Sequence, residues 1–310
     1  MGARGDGAGI RIGLSAVVMA VRERQAVVLT VGGEGEAALP FGPFDPATDR
    51  TFELALRAFV TAQTGFRLGF VEQLYTFGDL GRASPRATPG PDRRREVSVG
   101  YLALTREAAE TPGARWTPVF DLFPWEDRRN GPPVVMDAIA EGLARWSGAD
   151  VRRRARADAL FALAPGLRWN EERVLERYEL LYETGLAAEA ARDRDESFAP
   201  PPLGLAMASD HRRILATGLG RLRSKLKYRP VLFDLAPETF SLFELQAAAE
   251  AVSGLTLHKQ NFRRGVERAD LVEPTGVMSA TGGRPAELFR FAGLDPQGAP
   301  LGGVALPTQR

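Results

Sequence analysis

Near the start of the chain, apolar residues form two dense runs, Ile10 to Arg22 and Gln25 to Val31, separated by the polar Arg22-Glu23-Arg24. That pattern predicts a hairpin of two strands. After a loop at Leu39-Pro40-Phe41-Gly42-Pro43, the residues Phe52, Ala55, Phe59 and Ala62 recur at helical spacing within Thr51 to Gln63, and Thr64-Gly65-Phe66 ends that helix. Phe70 to Phe77 and Val97 to Leu104 read as further strands, with a Pro-rich loop, Ser84 to Pro91, between them. The order strand, strand, helix, strand, strand predicts an α+β sandwich. Farther on, Val174, Tyr178, Leu181 and Tyr182 mark a helix within Arg173 to Ala191, and Ala199-Pro200-Pro201-Pro202 breaks the chain.

His211 to Tyr228 carries Leu215, Leu219, Leu222 and Leu226 on one stripe, surrounded by Arg and Lys. Gly218 and Gly220 lie inside it, each costing about 1 kcal/mol relative to alanine in a helix. The leucine stripe needs a partner surface, so this helix is expected to connect two domains and to pack against a second copy of the chain.

The last third has a different rhythm. Ser241 and Glu244 have capping-box spacing behind Phe240, and Leu242, Leu245, Ala249 and Val252 form an apolar face that stops at Gly254. Thr256 is placed to cap a second helix, Leu257 to Ala269, whose Phe262, Val266 and Ala269 point inward. His258, Lys259, Gln260, Asn261, Arg263, Arg264 and Arg268 then face outward. Leu271 to Pro274 and Ala286 to Phe291 read as two strands, with Gly276, Gly282 and Gly283 permitting a tight tip that bears Arg284. Helix, basic helix and Gly-containing ribbon together read as a winged helix-turn-helix. Arg, Lys, Gln and Asn have the donor geometry to address base edges in a major groove, Lys259, Gln260 and Arg263 foremost, while Arg284 would meet the DNA backbone.

Charge agrees with that division. From His211 onward there are 14 Lys plus Arg against 9 Asp plus Glu, whereas the rest has 26 against 30. Only the back part need approach phosphates. At 310 residues the chain is long enough for two domains, each with its own core. It has 2 histidines and no cysteine, which excludes disulfides, thiol nucleophiles and Cys/His zinc sites. No apolar run approaches the roughly 20 residues that span a bilayer, so a cytoplasmic protein without a membrane partner is expected.

The runs Thr64-Gly65-Phe66, Val71 to Asp79 with Arg82, and Val97 to Leu104 resemble a Nudix domain. Together with Tyr228-Arg229-Pro230-Val231, Gln260 to Arg264 and Gly283-Arg284-Pro285-Ala286, they resemble the Nudix-related transcriptional regulators of NAD metabolism. The resemblance implies an α/β/α sandwich followed by a C-terminal winged helix, with a Nudix-like ligand-sensing domain over residues 1–200, a linker helix over 201–230 and a DNA-binding domain over 231–310. Residues 108–210 do not align. It also implies an effector such as ADP-ribose, NAD or ATP and a double-stranded DNA operator, with repression and activation both open, while the leucine stripe leads us to expect a homodimer. Candidate ligand contacts are Phe77, Asp79, Arg82 and Tyr101. Arg82, Arg86 and Arg93 to Arg95 lie in or beside the Pro-rich loop, where an arginine fork suits a pyrophosphate; the Arg93 to Arg95 run reads rather as solvated loop, and Phe77, which could stack a base, is as a strand aromatic more often core.

Nudix hydrolysis needs carboxylates to hold Mg²⁺. Registering the family's Gly-aliphatic ending on Gly65-Phe66 puts Phe59, Ala62 and Gln63 where those carboxylates belong; a shift by one gives Ala58, Thr61 and Ala62. No catalytic residue, metal or required cofactor is therefore expected. The alternatives are a nucleotide-diphosphate hydrolase with a protein-binding winged helix, and an inactive scaffold.

Overall fold

The computed structural model describes residues 10–32, 37–79, 95–106, 108, 112–194, 196–198, 201–279 and 285–293. Strands β1 (Ile10–Arg22) and β2 (Gln25–Val31) form the expected hairpin, turning through Glu23 and Arg24, both at positive φ. β3 (Phe41–Pro43) shares the same edge of β1, and the other edge pairs in parallel with β5 (Arg95–Leu104). With β4 (Phe70–Phe77) and β6 (Ala114–Pro118) the sheet runs β4-β5-β1-β2-β6.

Both faces of the sheet are buried at its centre, as the near-continuous apolar runs of β1 and β2 require, while the edge strand β4 leaves Gln73, Tyr75 and Thr76 exposed. Leu14, Ala16 and Val18 of β1, with Val99 and Tyr101 of β5, pack under α1 (Phe52–Thr64). Thr51 caps that helix and Gly65 ends it at φ 68°. The alternate residues, Val17, Met19, Leu102 and Leu104, belong to a second core that continues through the remaining helices.

Those helices fill the stretch where the family resemblance did not align: the short α2 (Val119–Leu122), then α3 (Val135–Ser147), α4 (Val151–Phe161), α5 (Val174–Glu183) and α6 (Ala188–Arg194). The single helix expected from Arg173 to Ala191 is two, because the chain turns at Gly185 with φ 74°.

Helix α7 (His211–Lys225) corrects another expectation. Its leucine stripe faces neither solvent nor a second copy: Leu215, Leu219 and Leu222 are 0% exposed and Leu226 is 1%. The helix lies on the sheet against β1, β4 and β5 and beside α5. The two glycines that argued against it are what permit the approach. A Cβ on Gly218 would stand 3.0 Å from Val17, and one on Gly220 2.9 Å from the Glu172 carbonyl oxygen.

The chain ends in a winged helix-turn-helix of α8 (Leu242–Ser253), α9 (Lys259–Arg268) and a three-stranded sheet ordered β7-β9-β8, from β7 (Thr239–Phe240), β8 (Val272–Ser279) and β9 (Ala286–Phe291). Its core is not separate, as two independent domains would have it. Leu245, Val252, Phe262 and Val266 join the same apolar cluster as α7 and the inner face of the sheet.

Candidate nucleic-acid interface and a front cavity

Ser241 and Glu244 form the capping box in full: the Ser241 hydroxyl accepts from the Glu244 amide at 3.2 Å, and Glu244 Oε2 accepts from the Ser241 amide at 2.8 Å. Gly254, at φ 69°, closes α8. The turn that follows is set by α8 itself. Glu250 Oε1 accepts from the Leu257 amide at 2.9 Å, and Gln246 Nε2 donates to the Leu257 carbonyl at 3.0 Å. α9 therefore begins two residues later than expected. His258 is its N-cap without a side-chain hydrogen bond, while the Thr256 hydroxyl donates instead to the Arg129 carbonyl at 2.6 Å.

Only Phe262 and Val266 of α9 are fully buried. His258, Lys259, Gln260, Asn261, Arg263, Arg264 and Arg268 are all exposed on one element, and no ion pair among the described residues neutralises its cations. Uncapped amides at the start of α9 add donors and the positive end of the helix dipole to that surface, which favours phosphate oxygens. β8 runs farther than the sequence suggested, with a register break between Pro274 and Met278 where Gly276 takes φ 74°. Arg284 at the wing tip lies outside the described residues.

A cavity of about 440 Å³ opens at the other end of α7. Arg11, Gly13 and Ser15 of β1, Phe41 of β3, Glu96 and Ser98 of β5, and Asp210, His211 and Ile214 line it. Parallel pairing places Gly13 beside Ser98, and the Ser15 and Ser98 hydroxyls lie 2.9 Å apart. His211 Nδ1 accepts from the Leu39 amide at 3.1 Å, which puts the proton of the neutral ring on Nε2. Burial, reinforced by the nearby Arg192 charge, lowers its pKa to about 4. The lining thus offers a cation, carboxylates, hydroxyls and an aromatic ring, a mixture suited to a polar ligand bearing both sugar hydroxyls and anionic groups.

The expected ligand contacts do not meet in one place. Phe77 is 2% exposed in the core beneath α7, whereas Tyr101 is buried on the opposite face of the sheet under α1. Asp79 receives Arg213 Nη1 at 2.5 Å, which ties the end of β4 to the first turn of α7. Arg82, like Arg86, Arg93 and Arg94, falls outside the described residues, as does the side chain of Arg95. Arg11, Glu96, Ser98 and His211 were not singled out by the sequence.

At the positions registered on the Nudix box stand Ala58, Phe59, Thr61, Ala62 and Gln63, none of them a carboxylate that could hold Mg²⁺. Gln63 donates from Nε2 to the Phe41 carbonyl at 2.6 Å. Arg57 pairs with Glu53 at 2.9 Å and donates to the carbonyls of Leu68 and Gly69. Among the described residues there is no group of three His, Asp or Glu side chains placed to hold a metal ion, and no described helix is long and apolar enough to cross a membrane.

Residues 232–291 match the NrtR DNA-binding winged helix domain. Over 90 residues the chain is 39% identical to the ADPR responsive transcriptional repressor NtrR of Acinetobacter baylyi, a match covering 29% of this chain and 36% of that protein. The chain therefore spans about a third of the length of this curated relative. Across 90% of its length it superposes on 93% of Shewanella oneidensis NrtR, solved with a 27mer DNA, with TM-score 0.52 and 21% identity. A MutT/nudix family protein of Enterococcus faecalis gives TM-score 0.51 at 14% identity, over 91% of this chain and 86% of that one. Residues 232–291, where the capping box, the basic helix and the wing strands lie, thus match the NrtR DNA-binding winged helix domain, on a chain whose fold is similar to those of the NrtR and MutT/nudix structures.

Proposed function

We propose that this chain is a transcriptional repressor whose hold on a DNA operator is changed by ADP-ribose or a related adenine nucleotide bound in the sheet-containing front part, without hydrolysis of the nucleotide. The observation that carries the reading is α9: six exposed amide or basic side chains, with His258 exposed at the N-cap, on a helix buried only at Phe262 and Val266, within a winged helix. The name of the A. baylyi relative supports the choice of ADP-ribose. The cavity beside His211 is the proposed seat of the nucleotide, with Arg11 toward the phosphates and Glu96 accepting from sugar hydroxyls. Absence of hydrolysis is supported by Ala58, Phe59, Thr61, Ala62 and Gln63 standing where metal-binding carboxylates would be needed.

In this reading residues 10–225 sense and residues 231–291 bind DNA, in a cytoplasmic protein that regulates NAD-synthesis or salvage genes. Two copies on a two-fold operator are the arrangement that suits a helix-turn-helix reader. The test is binding of the purified chain, at fixed salt, to DNA from upstream of NAD-synthesis genes with and without ADP-ribose, NAD or ATP. Sequence-specific binding altered by one nucleotide is expected. Absence of sequence preference would overturn the regulator, and Mg²⁺-dependent turnover of ADP-ribose would overturn the non-hydrolytic half.

A further inference from the structure

Helix α7 joins two places that the proposed function must connect. At its start, Asp210, His211 and Ile214 line the cavity. Near its end, Arg223 Nε donates to the Val252 carbonyl at 2.9 Å, in the last turn of α8. The 15 residues between its ends span roughly 22 Å at about 1.5 Å per residue.

Arg223 is held by more than α8. Its Nη1 bonds the Glu126 carboxylate and also donates to the Glu171 carbonyl at 2.9 Å. Glu126 takes Arg177 of α5 in a two-pronged contact, from Nε at 2.6 Å and from Nη2 at 2.9 Å. All three side chains are 0% exposed. The helix-turn-helix is seated on the same node. The Arg128 amide donates to the Gly254 carbonyl at 2.8 Å, and a Cβ on Gly254 would stand only 2.2 Å from the Glu126 carbonyl oxygen.

A buried ionic triad is a poor way to gain stability, because well-packed apolar residues do as well or better; what it can supply is one defined geometry. Here that geometry relates α5, α7 and the end of α8. Gly218 against Val17 and Gly220 against Glu172 key α7 to β1 and to the segment before α5 along its middle. Packed interfaces of this kind move between discrete arrangements rather than deforming continuously. A displacement of α7 at the cavity must therefore move Arg223, and with it the seat of α8.

We propose that α7 is a rigid relay which carries occupancy of the front cavity to the helix-turn-helix, with Arg223 as the positioning residue that fixes α8, and through it α9, to the relay's far end. This rests on the reading that an adenine nucleotide binds in the front part.

The test uses the full chain with Arg223→Met and Arg223→Lys. Operator affinity is measured by fluorescence anisotropy with and without ADP-ribose, and ADP-ribose affinity by calorimetry. The wild type should change operator affinity by roughly 5- to 150-fold on adding ADP-ribose, the usual range for coupled sites, and Arg223→Met should reduce that ratio to under about twofold while ADP-ribose affinity stays within about threefold. Arg223→Lys keeps a charge beside Glu126 but lacks the fork that also reaches Val252, so it should lose the ratio too. A wild type that responds, with variants that respond equally, overturns the relay alone. A wild type that binds none of ADP-ribose, NAD and ATP overturns the functional reading and the relay with it. Should the variants fail to fold, hydrogen exchange of the wild type decides: ADP-ribose must alter the amides of residues 252–256, and protection confined to the cavity overturns the relay.

Discussion

Lowering the pH from 7.5 to 5.0 is expected to cost the folded chain about 2 kcal/mol through His211 alone. In the unfolded chain the group titrates at 6.5, and in the fold at about 4, because burial disfavours the imidazolium and Arg192 opposes it further. The folded-state pKa is the lower one, so between the two values the unfolded chain holds more protons. Stability is thus insensitive to this group above about pH 7, falls as the pH drops below 6.5, and levels off below 4 at a total loss of roughly 3 kcal/mol. The structural cause is visible: a protonated Nδ1 could no longer accept from the Leu39 amide, leaving a buried donor unpaired. Urea denaturation at both pH values, on the wild type and on His211→Asn, isolates the term. Asparagine Oδ1 can take over as acceptor for Leu39 but does not titrate, while the carboxylates that also respond to acid are common to both proteins. The wild type should lose about 2 kcal/mol more than the variant. Equal losses would refute the assignment of a buried, neutral His211.

Arg263→Ala should weaken specific DNA binding by about 1–3 kcal/mol and relax preference at one base position; a uniform loss across all sequences, read by competition binding, would make Arg263 a phosphate contact instead. Gly254→Ala combines a left-handed backbone with the approach of Glu126, and should destabilise by about 2–4 kcal/mol in chemical denaturation; a loss under about 0.5 kcal/mol would mean that the turn is not seated on Glu126. Ser241→Ala removes the cap of α8 and should cost about 1 kcal/mol while leaving base preference intact. A changed preference would show that Ser241 faces DNA.

What could be read from the sequence was local. The Ser241 and Glu244 spacing, Gly65 and Gly254 at helix ends, and the dense strands on either side of Glu23 and Arg24 each carry their signal within a few residues, and each appears in the fold. What covers a stripe is not local. The leucines of α7 announced an apolar face, but nothing near them says that it meets Val17, about 200 residues earlier in the chain. The same distance hid the use of Gly218 and Gly220, which as local signals argue only against a helix. α4 escaped because Arg152, Arg153, Arg154 and Arg156 crowd it and only Ala157, Leu160 and Phe161 are buried. The cavity was illegible for a related reason. Arg11, Glu96 and His211 are brought together by the parallel pairing of β1 with β5 and by the seat of α7, and no spacing rule links three such distant positions.

The position of α7 in the chain also governs how the molecule can be made. The helix that roofs one face of the sheet is encoded after all five strands of its main path and after the whole helical bundle. During synthesis that face, where Val17 will meet Gly218 and Gly100 will meet Ile214, stays incompletely covered until residue 225 has left the ribosome. A chain ending at residue 200 would keep the strands and lose their roof, presenting apolar surface of the kind that drives nascent chains to aggregate. Completion of the sheet-containing front part and arrival of the winged helix are thus nearly simultaneous, because only five residues separate the end of α7 at Lys225 from the 3-10 turn at Val231 that opens the winged helix region.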